Sequence, residues 1–153
     1  DTDEAYELAR QQGDEWIKAH AHHLEGCIVS RWQDYVSIDQ VKLFKKLVFS
    51  KYETDPELQN DIRKTIKSYY LRLYKRKPEL YCIQNFPSFY QHSKYFILEE
   101  TAVFSYLEFL DKGPFIYPGR PTVNHIIKAD GELIPFDRNL SITIVKNKVQ
   151  KAA

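Results

Sequence analysis

The chain has 153 residues, 43% hydrophobic and 28% charged, with a formal net charge of +1; that is enough for one domain with a core of its own. No apolar run approaches the roughly 20 residues of a membrane span, and no secretory leader pattern opens the sequence. Two cysteines, Cys27 and Cys82, are too few for a disulfide framework and are expected to be small buried hydrophobes in a reducing compartment, the cytoplasm.

The small net charge hides an uneven distribution. Acids dominate residues 1–36 and 79–111, and bases dominate 37–78 and 112–153. The first residue is Asp, which suggests a trimmed chain or a processed product.

In chain order, residues 3–22 read as a helix with a broken apolar face from Leu8, Ala9, Trp16, Ile17 and Ala19. Gly26–Ser30 is a short apolar run opened by glycine and reads as a buried strand. Ser37 is a candidate N-cap for a helix over 39–52. Thr54-Asp55-Pro56-Glu57 combines a cap, a first-turn proline and an acid, which predicts a helix that runs to Arg76, before Pro78.

Leu80–Ile83 reads as a strand, 88–110 as a long apolar helix stopped by Lys112-Gly113-Pro114, and Phe115–Tyr117 as a further strand. Thr122–Ala129 reads as a short helix and Leu140–Val145 as a final strand. Helices alternating with strands predict an α/β layer architecture with a parallel sheet. That sheet is short of strands.

Three groups of residues invite a functional reading. On the 88–110 helix, Tyr95 and Glu99 are four apart and share a face, whereas the adjacent Glu100 points about 100° away. A helix apolar nearly all round is normally buried, so the setting should be largely dry. A carboxylate there needs a raised pKa or a cationic partner such as a substrate ammonium; the alternative is a half-exposed Glu99 paired with a lysine. Tyr117-Pro118 closes a strand with the tyrosine held extended by the proline, as a site residue or a packing one.

The third group is the stretch 62–77. It carries Arg63, Lys64, Lys67, Arg72, Lys75, Arg76 and Lys77 without an acid, interleaved with Tyr69, Tyr70 and Tyr74. This composition suits phosphate contact and base stacking, or else a solvated helix face. His20, His22 and His23 have only Glu25 to complete a ligand set, so no metal site is expected, and no glycine loop for phosphate is present.

Tyr95 and Glu99 with three residues between, the apolar helix around them, and Tyr117-Pro118 a short distance on resemble the Tyr-Pro branch of the cyclodipeptide synthases. Arg31-Trp32-Gln33-Asp34 and the two helices after it are also similar to that family's middle region. The likeness spans roughly residues 5–128. It implies a Rossmann-like parallel sheet with flanking helices, related to the catalytic domains of class I aminoacyl-tRNA synthetases.

On that basis residues 1–129 would be the later part of one catalytic domain and 130–153 a C-terminal extension. The implied activity is aminoacyl transfer, joining two aminoacyl-tRNAs into a cyclic dipeptide through an aminoacyl-serine enzyme, without a cofactor. Tyr95 and Glu99 would hold the aminoacyl ammonium, with Glu99 also moving protons, and Tyr117, next to Pro118, would organise the groups around the serine. The implied partners are aminoacyl-tRNA and a tailoring enzyme acting on the cyclic dipeptide.

Two departures stand out. No serine here matches the nucleophile, so the early strands and their serine loop are expected to be missing and this chain alone inactive. The family's basic tRNA-binding helix corresponds to residues 5–20, which are acidic overall. The basic stretch 62–77 is therefore the better candidate for RNA, either within such an enzyme or as a non-catalytic RNA-binding module.

Overall fold

The computed structural model describes residues 2–27, 29–110 and 123–136. They fall into two units, one within Asp1–Ser30 and one within Arg31–Thr143. The expected strands at Phe115–Tyr117 and Leu140–Val145 lie outside the described residues.

In the first unit, α1 (Thr2–Ala19) ends earlier than expected and is followed by a 3-10 turn, Ala21–His23. His20 Nδ1 lies 2.8 Å from the Trp16 carbonyl, and the His20 ring stacks on the indole at 4.3 Å. Gly26, expected to open a strand, is instead a turn residue at φ 80°, a conformation glycine adopts without a Cβ penalty. Cys27 beside it is exposed and Cys82 only half-buried, so neither behaves as the expected core hydrophobe.

The second unit is built on three helices. After a 3-10 turn at Trp32–Tyr35 come α2 (Asp39–Thr54), α3 (Pro56–Arg76) and, past a second 3-10 turn at Ile83–Asn85, α4 (Phe86–Phe109). Val41, Phe44 and Val48 form the inner stripe of α2, and Leu58, Ile62, Ile66 and Tyr70 that of α3, both at helical spacing. In α4 nearly every residue from Ile97 to Leu107 is buried, because α2, α3 and a β-hairpin all pack against it.

The α/β prediction is overturned. The described residues are mostly helical, and the sheet they hold is one antiparallel pair, β1 (His125–Ile127) with β2 (Leu133–Pro135). No parallel Rossmann-like sheet is seen among them. The reasons are local: 26–27, 29–30 and 80–82 are turn or irregular backbone, and the predicted helix at 122–129 is in part β1. Asp130-Gly131 closes the hairpin, with Gly131 at φ 90° and the Glu132 N–H bonded to Asp130 Oδ1 at 2.9 Å. This hairpin pairs residues on both sides of the domain boundary expected at 129/130.

The hairpin is tied down at two places. The Ser105 hydroxyl donates to the Thr101 carbonyl at 2.7 Å and accepts the Ile127 N–H at 2.9 Å. On the other side His125 Nδ1 lies 2.9 Å from Asp61 Oδ2, and Asn124 Nδ2 donates to the same carboxylate at 3.3 Å. Elsewhere the Tyr52 and Tyr90 hydroxyls meet at 3.2 Å and join the end of α2 to α4; burial first, then this bond, pushes the Tyr52 phenol up to about 12.

The start of α3 was legible in detail. Asp55 Oδ1 accepts the N–H groups of Glu57 and Leu58 at 2.9 and 3.2 Å, and Pro56 occupies the first turn. For α2 the N-cap is Ile38, one residue past the expected Ser37, with no side-chain cap. Asp55→Ala is expected to lower stability by about 1 kcal/mol in chemical unfolding.

The Leu58 N–H above all, with Glu57 N–H and the nearby Lys51 ammonium, holds the Asp55 carboxyl below its ordinary value. The folded pKa is thus the lower one. The contribution is complete above the unfolded carboxyl's pKa of about 4 and is lost as pH falls through the folded value. Asp55→Asn should keep the cap and remove this share of the acid dependence.

Candidate functional site

The site built from α4 lies at the seam with α2. Tyr95 and Glu99 share a face of α4, and Lys45 and Phe49, also one turn apart, face them from α2. Lys45 Nζ reaches Glu99 Oε1 at 3.3 Å and sits 5.6 Å from the centre of the Phe49 ring. The Tyr95 ring meets Phe49 edge-on at 5.3 Å.

This arrangement is wetter than the expected dry couple. Tyr95 is 54% exposed, and the Glu99 side chain keeps 27% of its surface in water. The cation beside Glu99 is the chain's own Lys45, which matches the lysine-paired alternative. An ion pair with this much exposure contributes on the order of 0–1 kcal/mol. Tyr117 and Pro118 lie outside the described residues, so they are not placed against Tyr95 and Glu99.

The buried carboxylate of α4 is Glu100, 0% exposed, one position beyond the one singled out from the spacing. A signal for it was present. Glu100 falls on the stripe of Ile97, Phe104 and Leu107, spaced by three, four and three, which is the side turned inward by the surrounding elements.

The basic stretch forms a second surface, on the outer face of α3. Arg63, Lys64, Lys67, Arg72, Lys75, Arg76 and Lys77 are all exposed, and none of them forms an ion pair among the described residues. The acid nearest to them along α3, Asp61, is engaged by His125 and Asn124 of the hairpin. From Arg63 to Arg76 the face runs about 20 Å at the α-helical rise.

Aromatic groups stand within this positive face. The Arg72 guanidinium lies 5.5 Å from the centre of the Tyr69 ring, and that ring is braced from below by Phe89 at 6.0 Å. Tyr74 and Leu71 are exposed further along, one turn from each other. Tyr70, by contrast, turns inward, is buried, and donates from its hydroxyl to the Cys82 carbonyl at 2.6 Å. The signal that separates Tyr70 from Tyr69 and Tyr74 is its place at the four-residue spacing of Leu58, Ile62 and Ile66 along the inner stripe.

Among the described residues no group of three or more His, Cys, Asp or Glu is arranged to hold a metal ion, and no helix is long and apolar enough to cross a membrane. The second unit is thus a three-helix body with a hairpin brace, carrying a Tyr95–Glu99 seam on one helix and a positive, aromatic face on another. No protein-family model matches the chain, and no curated protein or solved structure is significantly similar to it.

Proposed function

We propose that the chain is an RNA-binding module that uses the outer face of α3. The observation that carries this reading is six exposed basic side chains on one 21-residue helix and a seventh, Lys77, at its C-cap, none of them neutralised by a carboxylate among the described residues. Unpaired cations along one face attract a polyanion and release its counterions on binding, so affinity must fall with salt. An RNA ligand and two free cysteines both fit a reducing compartment such as the cytoplasm.

The experiment is a salt titration of RNA binding by fluorescence anisotropy. Neutralising Arg72, Lys75 and Arg76 together to Gln should weaken binding at every salt concentration and flatten the log–log salt slope by about two. All three side chains are exposed, so the fold should be unaffected. Unchanged affinity and slope would sink the reading.

A second reading, tRNA-dependent cyclodipeptide synthesis, is favoured by one observation. Tyr95 and Glu99 stand one turn apart on the same face of α4, where a substrate ammonium would have to displace Lys45 from the Glu99 carboxylate. The parallel sheet that its resemblance implied is not seen among the described residues, which weighs against this reading. Its assay supplies aminoacyl-tRNAs to the chain, alone and preceded by a serine-bearing strand and loop, and searches for diketopiperazines by mass spectrometry. Product that disappears with Glu99→Gln supports it; RNA binding without any product leaves the first reading alone.

A further inference from the structure

We infer that the α3 face takes RNA through unpaired bases, so that its ligand is a single strand or loop rather than a duplex; this rests on the RNA reading above and narrows its substrate class. Phosphate attraction alone would need only the seven cations, which a duplex satisfies as well as a single strand. The tyrosines add a different requirement. Tyr69 and Tyr74 each leave about half their surface in water, 48% for both, in the middle of a positive field.

Their positions on the helix matter as much as their exposure. Lys67, Leu71 and Tyr74 succeed one another at spacings of four and three and form one ridge; Tyr69, Arg72 and Arg76 form another at spacings of three and four. Tyr69 and Tyr74 are five apart: the shorter arc between them, about 140° around the axis, holds the buried Tyr70, and the rings stand at the two margins of the longer arc, the outward strip whose middle carries Lys64 and Lys75. A backbone tracking that strip brings its bases within reach of a ring on either margin.

The Tyr69 ring is already held for this task. Phe89 of α4 supports it and Arg72 lies over it, so a base stacking there meets a ring and a guanidinium plane that lose little freedom on binding. Bases in a duplex stack on one another and cannot offer a face to either tyrosine, whereas splayed bases can. Base–aromatic stacking is also tolerant of sequence, so the surface should discriminate strandedness more than sequence.

The test compares the full chain binding a labelled single-stranded RNA of about a dozen nucleotides with binding of the blunt duplex of the same sequence. The single strand should bind more tightly. Tyr74→Ala, at a ring with no structural ring contact among the described residues, should weaken the single strand roughly tenfold, leave the duplex unchanged and leave the salt slope unaltered, while Tyr74→Phe retains affinity. Tyr69→Ala should act alike, with thermal melting used to separate any loss of the Phe89 contact from loss of stacking. Equal affinity for the two RNAs, or a Tyr74→Ala chain that binds the single strand normally, overturns the inference. If the variant neutralised at Arg72, Lys75 and Arg76 still loses binding in that case, the RNA reading survives it. Failure of both RNAs to bind at low salt removes both.

Discussion

Leu98→Ala is expected to lower the stability of the second unit by about 2–5 kcal/mol. Leu98 is 1% exposed and lies where α4 passes through the common core of α2, α3 and the hairpin. A truncated side chain at a helix margin can be covered by a neighbour that leans in. Here the neighbours are held on several sides at once, so the cavity has little means of closing. Since a domain's whole stability is on the order of 5–15 kcal/mol, a loss of this size is a large fraction of it. Urea unfolding should show a lower midpoint with an unchanged slope, and Leu98→Met should cost under about 1.5 kcal/mol. A loss below about 1 kcal/mol for the alanine variant would show that the site collapses after all.

Ser105→Ala is the second large effect. The hydroxyl joins two elements: it donates to the Thr101 carbonyl and accepts the backbone N–H of Ile127. Removing it leaves the Ile127 N–H buried without its acceptor, for about 1–3 kcal/mol. The loss should be concentrated in the hairpin, whose two strands of three residues cannot hold themselves together in water. Faster amide exchange at Ile127, with α2 and α3 protected as before, is the expected signature; Ser105→Thr, which keeps the hydroxyl, should restore much of the protection. Uniform loss across all elements would mean instead that the hairpin and helices unfold as one unit.

The helices were readable because their signals agree with one another. In α3 the cap, the proline and the four-residue spacing from Leu58 to Tyr70 all point to the same element. The strands were not readable because a run of four or five apolar residues fits a strand, a turn or part of a helix equally well. Gly26–Ser30 and Leu80–Ile83 read as strands on that basis, and with Phe115–Tyr117 and Leu140–Val145 they suggest the parallel sheet. The strand signal that mattered is Asp130-Gly131 between Ile126-Ile127 and Leu133-Ile134; the helix reading of 122–129 took in its first half, and the extension from 130 the rest.

For the candidate sites, spacing was legible and burial was not. Tyr95 and Glu99 do share a face, but the apolar character of α4 is concentrated after Phe96; Gln91, His92, Ser93 and Lys94 keep its first half polar. Averaging over the helix made its whole length look dry. Adjacent glutamates then exchanged roles, with Glu99 at the wet seam and Glu100 inside. The exposure of the α3 bases followed more directly, since the inner stripe of that helix is fully accounted for by apolar residues and Tyr70.

The one-sided burial of α4 along its length has a kinetic consequence. From Ile97 to Ser105 every residue but Glu99 is buried, so the amides there should exchange with solvent only when the whole unit opens. From Gln91 to Tyr95 the same helix is more exposed, between that core and the packed Phe86, Phe89 and Tyr90, so its amides should exchange faster by local opening. Tyr95 and Glu99 therefore straddle the border between a rigid half and a pliable half, and a ligand gripping both would draw the pliable turn into the rigid one. Binding at that seam would be felt as slowed opening of the first half of α4, with no change in the second.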